Sequence, residues 1–459
     1  MTTIAIIGGG PAGYVAAITA AQQGQEVILI EQRSLGGTCL NTGCMPTKTL
    51  LESASMFNQI KHANQFGIQL PVDAVSINWQ QVLERKEQIV GKLVQGIQYL
   101  MKKNKITIKI GKASFLTNHT VVVENNEQKE TVEADQFIIA TGSESIPLPF
   151  APFDEKWIIS SNQALELPQV PNSLLIVGGG VIGCEFASIY SRMGTKVTIV
   201  EMADQILPGE DKDTVAFLHN QLQQDGVTIR TSTAVKELDN INQVALLENE
   251  QGKHEVYADY ILVAIGRSPR IHDLNLEYIG VEVSKRGIIV NEQMQTTVPN
   301  IYACGDVVGG IQLAHVGFHE GEVAASNASG LEAKVNYRAV PRCIYTFPEI
   351  ASVGMTEKTA NEMYPHIKKG EFPFSANGKA LIANEQEGKV KVLIDPEYDE
   401  IIGISIVGPH ATELIGQGTI MLHAELTSES MDHFIAAHPT LSEAIHEAIL
   451  NANGQSIHI

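Results

Sequence analysis

The chain of 459 residues contains one pattern twice: an apolar strand, a turn with three spaced glycines, and a helix. The glycines of the two copies are Gly8, Gly10 and Gly13, and Gly178, Gly180 and Gly183. Each copy has a glutamate 23 residues after its first glycine, Glu31 or Glu201, and later an apolar run that ends in glycine, at Gly142 or Gly266. Strands that alternate with helices predict an α/β fold, here with two Rossmann-like units.

The spacing Gly-x-Gly-x-x-Gly between a strand and a helix predicts a dinucleotide site. The first glycine makes the tight turn, the second lets the backbone approach a pyrophosphate, and the third lets helix and strand pack closely. The helix N-terminus attracts the phosphates. Glu31 and Glu201 are placed to accept hydrogen bonds from adenosine ribose hydroxyls. Glycine turns without a ligand are the alternative, which two complete copies of the pattern disfavour.

Glu201 also bears on which nucleotide the second unit binds. A carboxylate suits the free ribose of NAD and repels the 2′-phosphate of NADP, and no arginine or lysine is close by in the sequence. Two bound nicotinamides would have no electron store between them. We therefore expect FAD in the first unit and NAD in the second.

Charge and hydropathy exclude several classes of partner. The formal net charge is −20, which repels nucleic acid and anionic lipid. The longest purely apolar runs are about five residues, whereas a membrane span needs about 20. The N-terminus has neither a basic n-region nor an arginine-rich transit segment, so we expect a cytoplasmic protein.

Two of the five cysteines, Cys39 and Cys44, lie close together between glycines. On an ideal helix this spacing would separate their Cα atoms by roughly 8–9 Å, too far for a disulfide. We expect Asn41 and Gly43 to close the gap in an irregular turn. A helix that starts at Cys44, with Pro46 in its first turn, would stabilise the Cys44 thiolate.

Other interpretations of the cysteines remain open. Two buried structural thiols are possible for the pair, and a metal site is disfavoured because no histidine is near, so we assign no metal. The other three cysteines are expected to be buried packing residues: Cys184, Cys304 and Cys343.

The complete set of motifs resembles the pyridine nucleotide-disulfide oxidoreductases over essentially the whole chain. Its most specific segments are the two glycine motifs, residues 36–48, Gly305-Asp306, residues 348–354 and residues 438–443. The resemblance implies an FAD-binding domain with a redox disulfide (1–146), an NAD-binding domain (147–266), a central domain completing the FAD site (267–336) and a C-terminal α+β dimerisation domain (337–459). Prolines 147, 149 and 269 support the inner boundaries.

The resemblance also implies roles for individual residues. Catalysis falls to the Cys39–Cys44 disulfide and to His438, an acid-base residue oriented by Glu443. The FAD site is expected to include Gly8, Gly10, Gly13, Glu31, Gly37, Thr38, Lys48, Ala113, Thr141, Gly142, Ser143, Asp306 and Ala314. The NAD site is expected to include Gly178, Gly180, Val181, Ile182, Gly183, Glu185, Glu201, Val235 and Gly266. Lys48 is expected to pair with Glu185.

The activity implied is oxidation of protein-bound dihydrolipoamide with NAD⁺, within 2-oxo acid dehydrogenase complexes. The implied partners are a second copy of the chain, since the late histidine reaches the disulfide of the other subunit, and a lipoyl domain with its core acyltransferase (E2). One departure from the family is Ala436-Ala437, where relatives often have another histidine; Ala113 replaces glycine at a backbone contact. The alternatives are another NAD(P)H-dependent disulfide reductase and a flavin-bearing redox sensor without turnover.

Overall fold

The computed structural model describes residues 1–71, 75–126 and 128–459. The inner strands of its first parallel sheet are apolar runs that are largely buried on both faces. The strand order is β20-β7-β1-β2-β3, with bounds β1 (Thr3–Ile7), β2 (Glu26–Glu31), β3 (Thr107–Ile110), β7 (Gln136–Ile139) and β20 (Ile301–Ala303). Because β20 pairs in parallel with β7, the segment after residue 267 contributes an edge strand to the first unit.

The second parallel sheet repeats this arrangement. Its order is β12-β11-β10-β16-β9, with bounds β9 (Ile158–Ile159), β10 (Ser173–Val177), β11 (Lys196–Val200), β12 (Thr228–Arg230) and β16 (Tyr260–Val263). Thr3 faces Glu26 in the first sheet as Ser173 faces Lys196 in the second. The internal repeat predicted from the sequence is therefore confirmed in strand order and register.

Each unit contains a three-stranded antiparallel meander. It lies between β3 and the late strand β7 in the first unit, and between β12 and the late strand β16 in the second. The first comprises β4 (Lys112–Thr117), β5 (Thr120–Asn125) and β6 (Gln128–Glu133), and the second β13 (Ala234–Asp239), β14 (Val244–Asn249) and β15 (Gly252–Tyr257). Two short pairs complete this part: β8 (Ser143–Ser145) with β17 (Arg267–Pro269), and β18 (Val283–Ser284) with β19 (Gly287–Ile288). The β8–β17 pair lies where the chain leaves the first unit and where it comes back from the second.

The helices of this part pack on the parallel sheets. They are α1 (Pro11–Gln22), α2 (Gly37–Asn41), α3 (Cys44–Lys61), α4 (Trp79–Lys103), α5 (Ser161–Ala164), α6 (Val181–Arg192), α7 (Lys212–Gln224) and α8 (Ala314–Ala328). Asn78 caps helix α4 by accepting from the Gln81 N–H. Helices α1 and α8 approach closely, because a Cβ on Gly321 would lie 2.4 Å from the Ala12 carbonyl oxygen.

The C-terminal part is an antiparallel sheet with helices, as expected for an α+β unit. The order is β21-β22-β25-β24-β23, with bounds β21 (Arg342–Ile344), β22 (Glu349–Gly354), β23 (Lys368–Pro373), β24 (Lys389–Ile394) and β25 (Ile401–Gly408). The helices are α9 (Glu357–Met363), α10 (Gly378–Ala383), α11 (Ala411–His423) and α12 (Glu443–Ala452). Helix α12 lies directly on β23, where a Cβ on Gly370 would meet the Ala448 carbonyl oxygen at 1.9 Å.

A buried lysine ties the second unit to this C-terminal sheet. The Lys391 side chain, 1% exposed, donates to Asp211, Asp213 and Glu357 at 3.2, 2.6 and 2.9 Å. The oxygens of these three carboxylates lie within 4.8 Å of one another, with the ammonium among them. The ion pairs thus join the start of α7, strand β24 and helix α9.

Candidate active site

The two glycine turns have nearly the same geometry. Gly8 and Gly178 both have φ of +109°, a backbone conformation that side chains disfavour. A Cβ on Gly13 would lie 1.8 Å from the Gly8 carbonyl oxygen, and one on Gly183 would lie 2.0 Å from that of Gly178. The predicted reason for the third glycine, close packing of helix on strand, is confirmed in both copies.

The space in front of each helix fits a dinucleotide. A Cβ on Gly180 would have no heavy atom within 4 Å, and one on Gly10 would meet only the Gly37 backbone at 3.8 Å. The first-turn N–H groups of α1 and α6 have no acceptor within their own helices and face this space. Both turns therefore offer an open cradle of backbone donors suited to a pyrophosphate.

The two glutamates predicted to bind ribose, Glu31 and Glu201, are held in matching positions. Glu31 accepts from the Gly9 N–H at 2.6 Å, and Glu201 accepts from the Gly179 N–H at 2.7 Å. The second oxygen of each accepts from the N–H two residues further on, Arg33 or Ala203. A carboxylate oxygen can accept more than one hydrogen bond, so both side chains keep capacity for ribose hydroxyls.

The backbone of Glu201 is paired with the neighbouring strand of the second sheet. No basic residue is close in sequence, but the Arg230 carbonyl accepts from the Glu201 N–H at 2.9 Å, because β11 and β12 end side by side. No ion pair joins the two side chains among the residues described.

The carboxyl ends of β7 and β20 bring Ser143 and Asp306 together at the edge where the Gly8 turn lies. The Ser143 hydroxyl donates to Asp306 at 2.5 Å and accepts from Arg267 Nε at 2.8 Å. Thr141 instead donates its hydroxyl to the Arg270 carbonyl at 2.7 Å. The structure thus assembles part of the expected FAD site and adds Arg267, which sequence reasoning missed because no motif links it to Ser143.

The remaining residues expected at the two cofactor sites lie after strands β7 and β16 and in five further elements. Gly142 has φ of +73° and Gly266 has φ of +133°, each just after its late strand. The others are Gly37 and Thr38 at the start of α2, Ala113 in β4, Val181 and Ile182 at the start of α6, Val235 in β13 and Ala314 at the start of α8.

The cysteine pair lies across the junction of two helices. Cys39 is in α2, and Cys44 is the first residue of α3, with Pro46 in the first turn as predicted. The expected unusual backbone at Asn41 is wrong: Asn41 is helical and donates to the carbonyls of Leu35 and Gly37. The chain changes direction between α2 and α3 at Thr42 and Gly43. Gly43 has a ψ of −112°.

Both thiols are free in this structure, and they are hydrogen-bonded to each other. This hydrogen bond lowers the pKa of Cys44 to about 7; burial opposes the shift and the Lys48 ammonium assists it. The same hydrogen bond, together with burial, raises the pKa of Cys39. The pair is therefore electronically unequal, with the negative charge favoured on Cys44.

Lys48 confirms the predicted contact between the two units. Its Nζ donates to both carboxylate oxygens of Glu185 at 2.7 and 2.8 Å, and it lies 4.6 Å from the Tyr345 ring centre. Glu185 also accepts from the Tyr345 N–H at 3.2 Å. This cluster, with Tyr345 unforeseen from the sequence, fixes a positive charge beside Cys44.

We expect Lys48→Met to shift the titration of Cys44 upward from about 7, because the ammonium that stabilises the thiolate is lost. The measurement is the pH dependence of Cys44 alkylation by iodoacetamide in the reduced protein, followed by peptide mass spectrometry. Glu185→Gln should shift the midpoint downward, since the Glu185 carboxylate raises the pKa of Cys44. An unchanged midpoint in both variants would remove Lys48 and Glu185 from the control of this thiol.

The predicted pair of His438 and Glu443 is present. His438 Nδ1 lies 2.8 Å from Glu443 Oε1, and the other Glu443 oxygen accepts from the Thr440 N–H at 2.8 Å. Burial raises the pKa of Glu443, but these hydrogen bonds outweigh it and the net pKa lies below its ordinary value. The His438 side chain is 77% exposed, so within one chain it does not pack against Cys39 or Cys44.

The other three cysteines are separate from this pair. Cys184 and Cys304 are fully buried, as predicted. Cys343 is only partly buried, because it lies in the edge strand β21.

Among the described residues, no helix is both long and apolar enough to cross a membrane.

Residues 2–321 match the family described as pyridine nucleotide-disulphide oxidoreductase, and residues 340–449 match the dimerisation domain of that family. The chain belongs to the pyridine nucleotide-disulphide oxidoreductases. As in the sequence interpretation, the fold combines two Rossmann-like units with a C-terminal dimerisation domain.

Individual members of the family align with almost the whole chain. A dihydrolipoyl dehydrogenase of Bacillus subtilis is 55% identical over 99% of this chain and 100% of its own length. Dihydrolipoyl dehydrogenase of Geobacillus stearothermophilus is 41% identical over 100% of this chain and 97% of its own length. Among solved structures, LpdA of Mycobacterium tuberculosis has a TM-score of 0.91 at 27% identity, covering 98% of this chain and 99% of that one.

Proposed function

We propose that the chain is a dihydrolipoyl dehydrogenase, a flavoprotein that oxidises the dihydrolipoyl group of a lipoyl domain and reduces NAD⁺. The observation that carries the proposal is the thiol pair at the junction of two helices, with Cys44 at the start of α3 near the ion pair of Lys48 and Glu185. The 55% identity to a full-length dihydrolipoyl dehydrogenase supports the choice of substrate within the family.

We assign the cofactors to the units as the sequence indicated. Residues 1–146 and 267–336 would hold FAD, since β20 completes the first sheet and brings Asp306 to Ser143. Residues 147–266 would hold NAD, with Glu201 at the ribose, and residues 337–459 would form the subunit contact. When bound, FAD supplies a two-electron store between the dithiol and NAD⁺.

The thiol chemistry follows from the inequality of the pair. His438 accepts a proton from the substrate dithiol, and the resulting thiolate attacks Cys39 Sγ of the Cys39–Cys44 disulfide. The new S–S bond forms as the Cys39–Cys44 bond breaks, and Cys44 leaves with the electron pair as the stabilised thiolate. The second substrate thiol attacks the first substrate sulfur, and its proton passes to the departing Cys39 sulfur. The substrate leaves as a cyclic disulfide, and the protein holds Cys39 as a thiol, Cys44 as a thiolate and His438 in its protonated form.

The chain's dimerisation domain bears on where His438 acts. Because the His438 ring is largely exposed and Glu443 fixes its Nδ1, Nε2 is free to face a second molecule. We propose a homodimer in which His438 serves the cysteine pair of the partner subunit. We further propose a core acyltransferase (E2) and its lipoyl domain as partners, and the cytoplasm as the compartment, since five cysteines in 459 residues do not form a disulfide scaffold.

A steady-state comparison tests this function. Oxidation of dihydrolipoamide should be fast with NAD⁺ and slow with NADP⁺, and reduction of glutathione disulfide by NADH should be at background. Rapid glutathione disulfide reduction would favour another disulfide reductase. FAD binding without dithiol turnover would favour a redox sensor.

The matched glutamates allow the two nucleotide sites to be separated. Glu201→Ala should raise the KM for NAD⁺ on the order of tenfold, because hydrogen bonds to a charged acceptor are lost. It should also lower the KM for NADP⁺, since the carboxylate that repels the 2′-phosphate is gone. FAD content should stay at the native value.

The counterpart Glu31→Ala is the control for this experiment. It should lower FAD retention and leave the ratio of the two nucleotide KM values unchanged. If Glu201→Ala lost FAD, or Glu31→Ala altered nucleotide preference, the assignment of the two units would be wrong.

A further inference from the structure

A buried glutamate outside the predicted sites lies under the turn that carries Asp306. Glu320, 2% exposed, is in the middle of α8. Its Oε2 accepts from the Gly305 N–H at 2.6 Å, and its Oε1 accepts from the Tyr337 hydroxyl at 2.7 Å. One carboxylate thus joins the turn after β20 to the segment that enters the dimerisation domain.

The turn held by Glu320 has little freedom of its own. Gly305 has φ of +76°, and a Cβ there would lie 2.9 Å from Ala12 Cβ in the first turn of α1. The next residue, Asp306, accepts from Ser143, which in turn accepts from Arg267. Any movement of the Gly305 backbone would therefore shift the Asp306 carboxylate relative to the dinucleotide cradle at α1.

The chemistry of Glu320 is unusual for packing alone. A buried carboxylate is costly unless donors satisfy it, and none of the ion pairs of the described residues includes Glu320. Burial is the main influence on Glu320 and Asp306 also repels it, so its pKa is raised although the two donors oppose this. At this position a single carboxylate holds both the Gly305 N–H and the Tyr337 hydroxyl.

We infer that Glu320 is a positioning residue of the FAD site, and that Tyr337 links this site to the dimerisation domain. The inference rests on the proposed assignment of FAD to the first unit. Glu320 fixes the Gly305 turn, the turn orients Asp306, and Tyr337 transmits the docking of residues 340–449 to that carboxylate. Retention of FAD is thereby coupled to the seating of the dimerisation domain.

The test is the rate of FAD release from the holoenzyme, followed by recovery of free-flavin fluorescence after dilution. Glu320→Ala should release FAD at least about tenfold faster, because both donors lose a charged acceptor. Glu320→Gln should stay within about threefold of the native rate, because its oxygen can accept from Gly305 and its amide can donate to the Tyr337 oxygen. Tyr337→Phe should give an intermediate rate, since it removes one donor and leaves the Gly305 contact.

Glu349→Ala is the matched control. Glu349 also accepts one backbone N–H and one hydroxyl, both from Thr412, at 2.9 and 2.8 Å, but in the C-terminal sheet. It should lower the melting temperature without faster FAD release, because both hydrogen bonds join β22 to α11 inside the C-terminal part and leave the Tyr337–Glu320 contact in place. A native release rate in Glu320→Ala, or equal acceleration in Glu349→Ala, would overturn the inference.

Two further outcomes are decisive. Should Glu320→Ala fail to give a folded holoenzyme, Tyr337→Phe decides, and a native rate in that variant overturns the link to the dimerisation domain. Because FAD release needs no dithiol, the result is independent of whether dihydrolipoamide is the substrate. A protein that never binds FAD would contradict the proposed function instead.

Discussion

Replacing Cys44 with serine should reduce NAD⁺-dependent oxidation of dihydrolipoamide to background. Serine cannot form the disulfide that the substrate thiolate attacks, and a hydroxyl cannot hold negative charge near pH 7 as the Cys44 thiolate does. The loss should appear in kcat, with FAD content unchanged, because the cofactor cradle is built from other residues.

The same variant tests which sulfur faces the flavin. The long-wavelength absorbance that the native enzyme shows after two-electron reduction should be absent in Cys44→Ser. Cys39→Ser keeps the Cys44 thiolate but has no disulfide to reduce, so it should show this absorbance without added reductant, while the flavin is oxidised. Survival of the band in Cys44→Ser would show that the roles of the two cysteines are reversed. Cys343→Ser, which changes a partly buried thiol in β21, is the control and should keep native turnover.

Replacing His438 with glutamine should lower kcat for dihydrolipoamide oxidation by about 10²- to 10⁴-fold, the usual contribution of a general acid-base residue. Glutamine can still donate a hydrogen bond to Glu443 but cannot accept the proton of the substrate thiol. FAD content should remain native, since His438 is not among the residues expected to hold FAD.

Two further variants test whether the loss of turnover is specific to His438. Glu443→Gln should cause a smaller loss, because the imidazole remains but its orientation and positive charge are less well supported. His423→Gln, at the exposed end of α11, should leave turnover unchanged. Native turnover in His438→Gln would exclude it from the mechanism.

Local patterns allowed much of this site to be predicted. The glycine spacing encodes a turn, a close backbone approach and a helix start within six residues, and both copies adopt it with the same φ at Gly8 and Gly178. Glu443 lies five residues after His438, so their contact needs only one turn. The pairing of Lys48 with Glu185 spans 137 residues and was predicted from the family resemblance, not from spacing.

Contacts without a motif could not be predicted in this way. Glu320 and Tyr337 are ordinary residues in the sequence, and only the packing of α8 under the end of β20 makes them partners. The meanders alternate apolar and polar residues too weakly to fix their pairing. Asn41 was misjudged because its side chain satisfies carbonyls at Leu35 and Gly37 and so supports a helix.

The buried Lys391 has a consequence for how this sequence can change. Its three carboxylate partners come from the nucleotide-binding unit and from the C-terminal unit, so neither can lose its part alone. Substituting the lysine would leave three carboxylates without their positive partner. Substituting one of the acids would leave the buried ammonium less well neutralised. We therefore expect a tolerated substitution at position 211, 213, 357 or 391 to require a compensating substitution at another of these positions. The two domains are thus expected to change together at this contact.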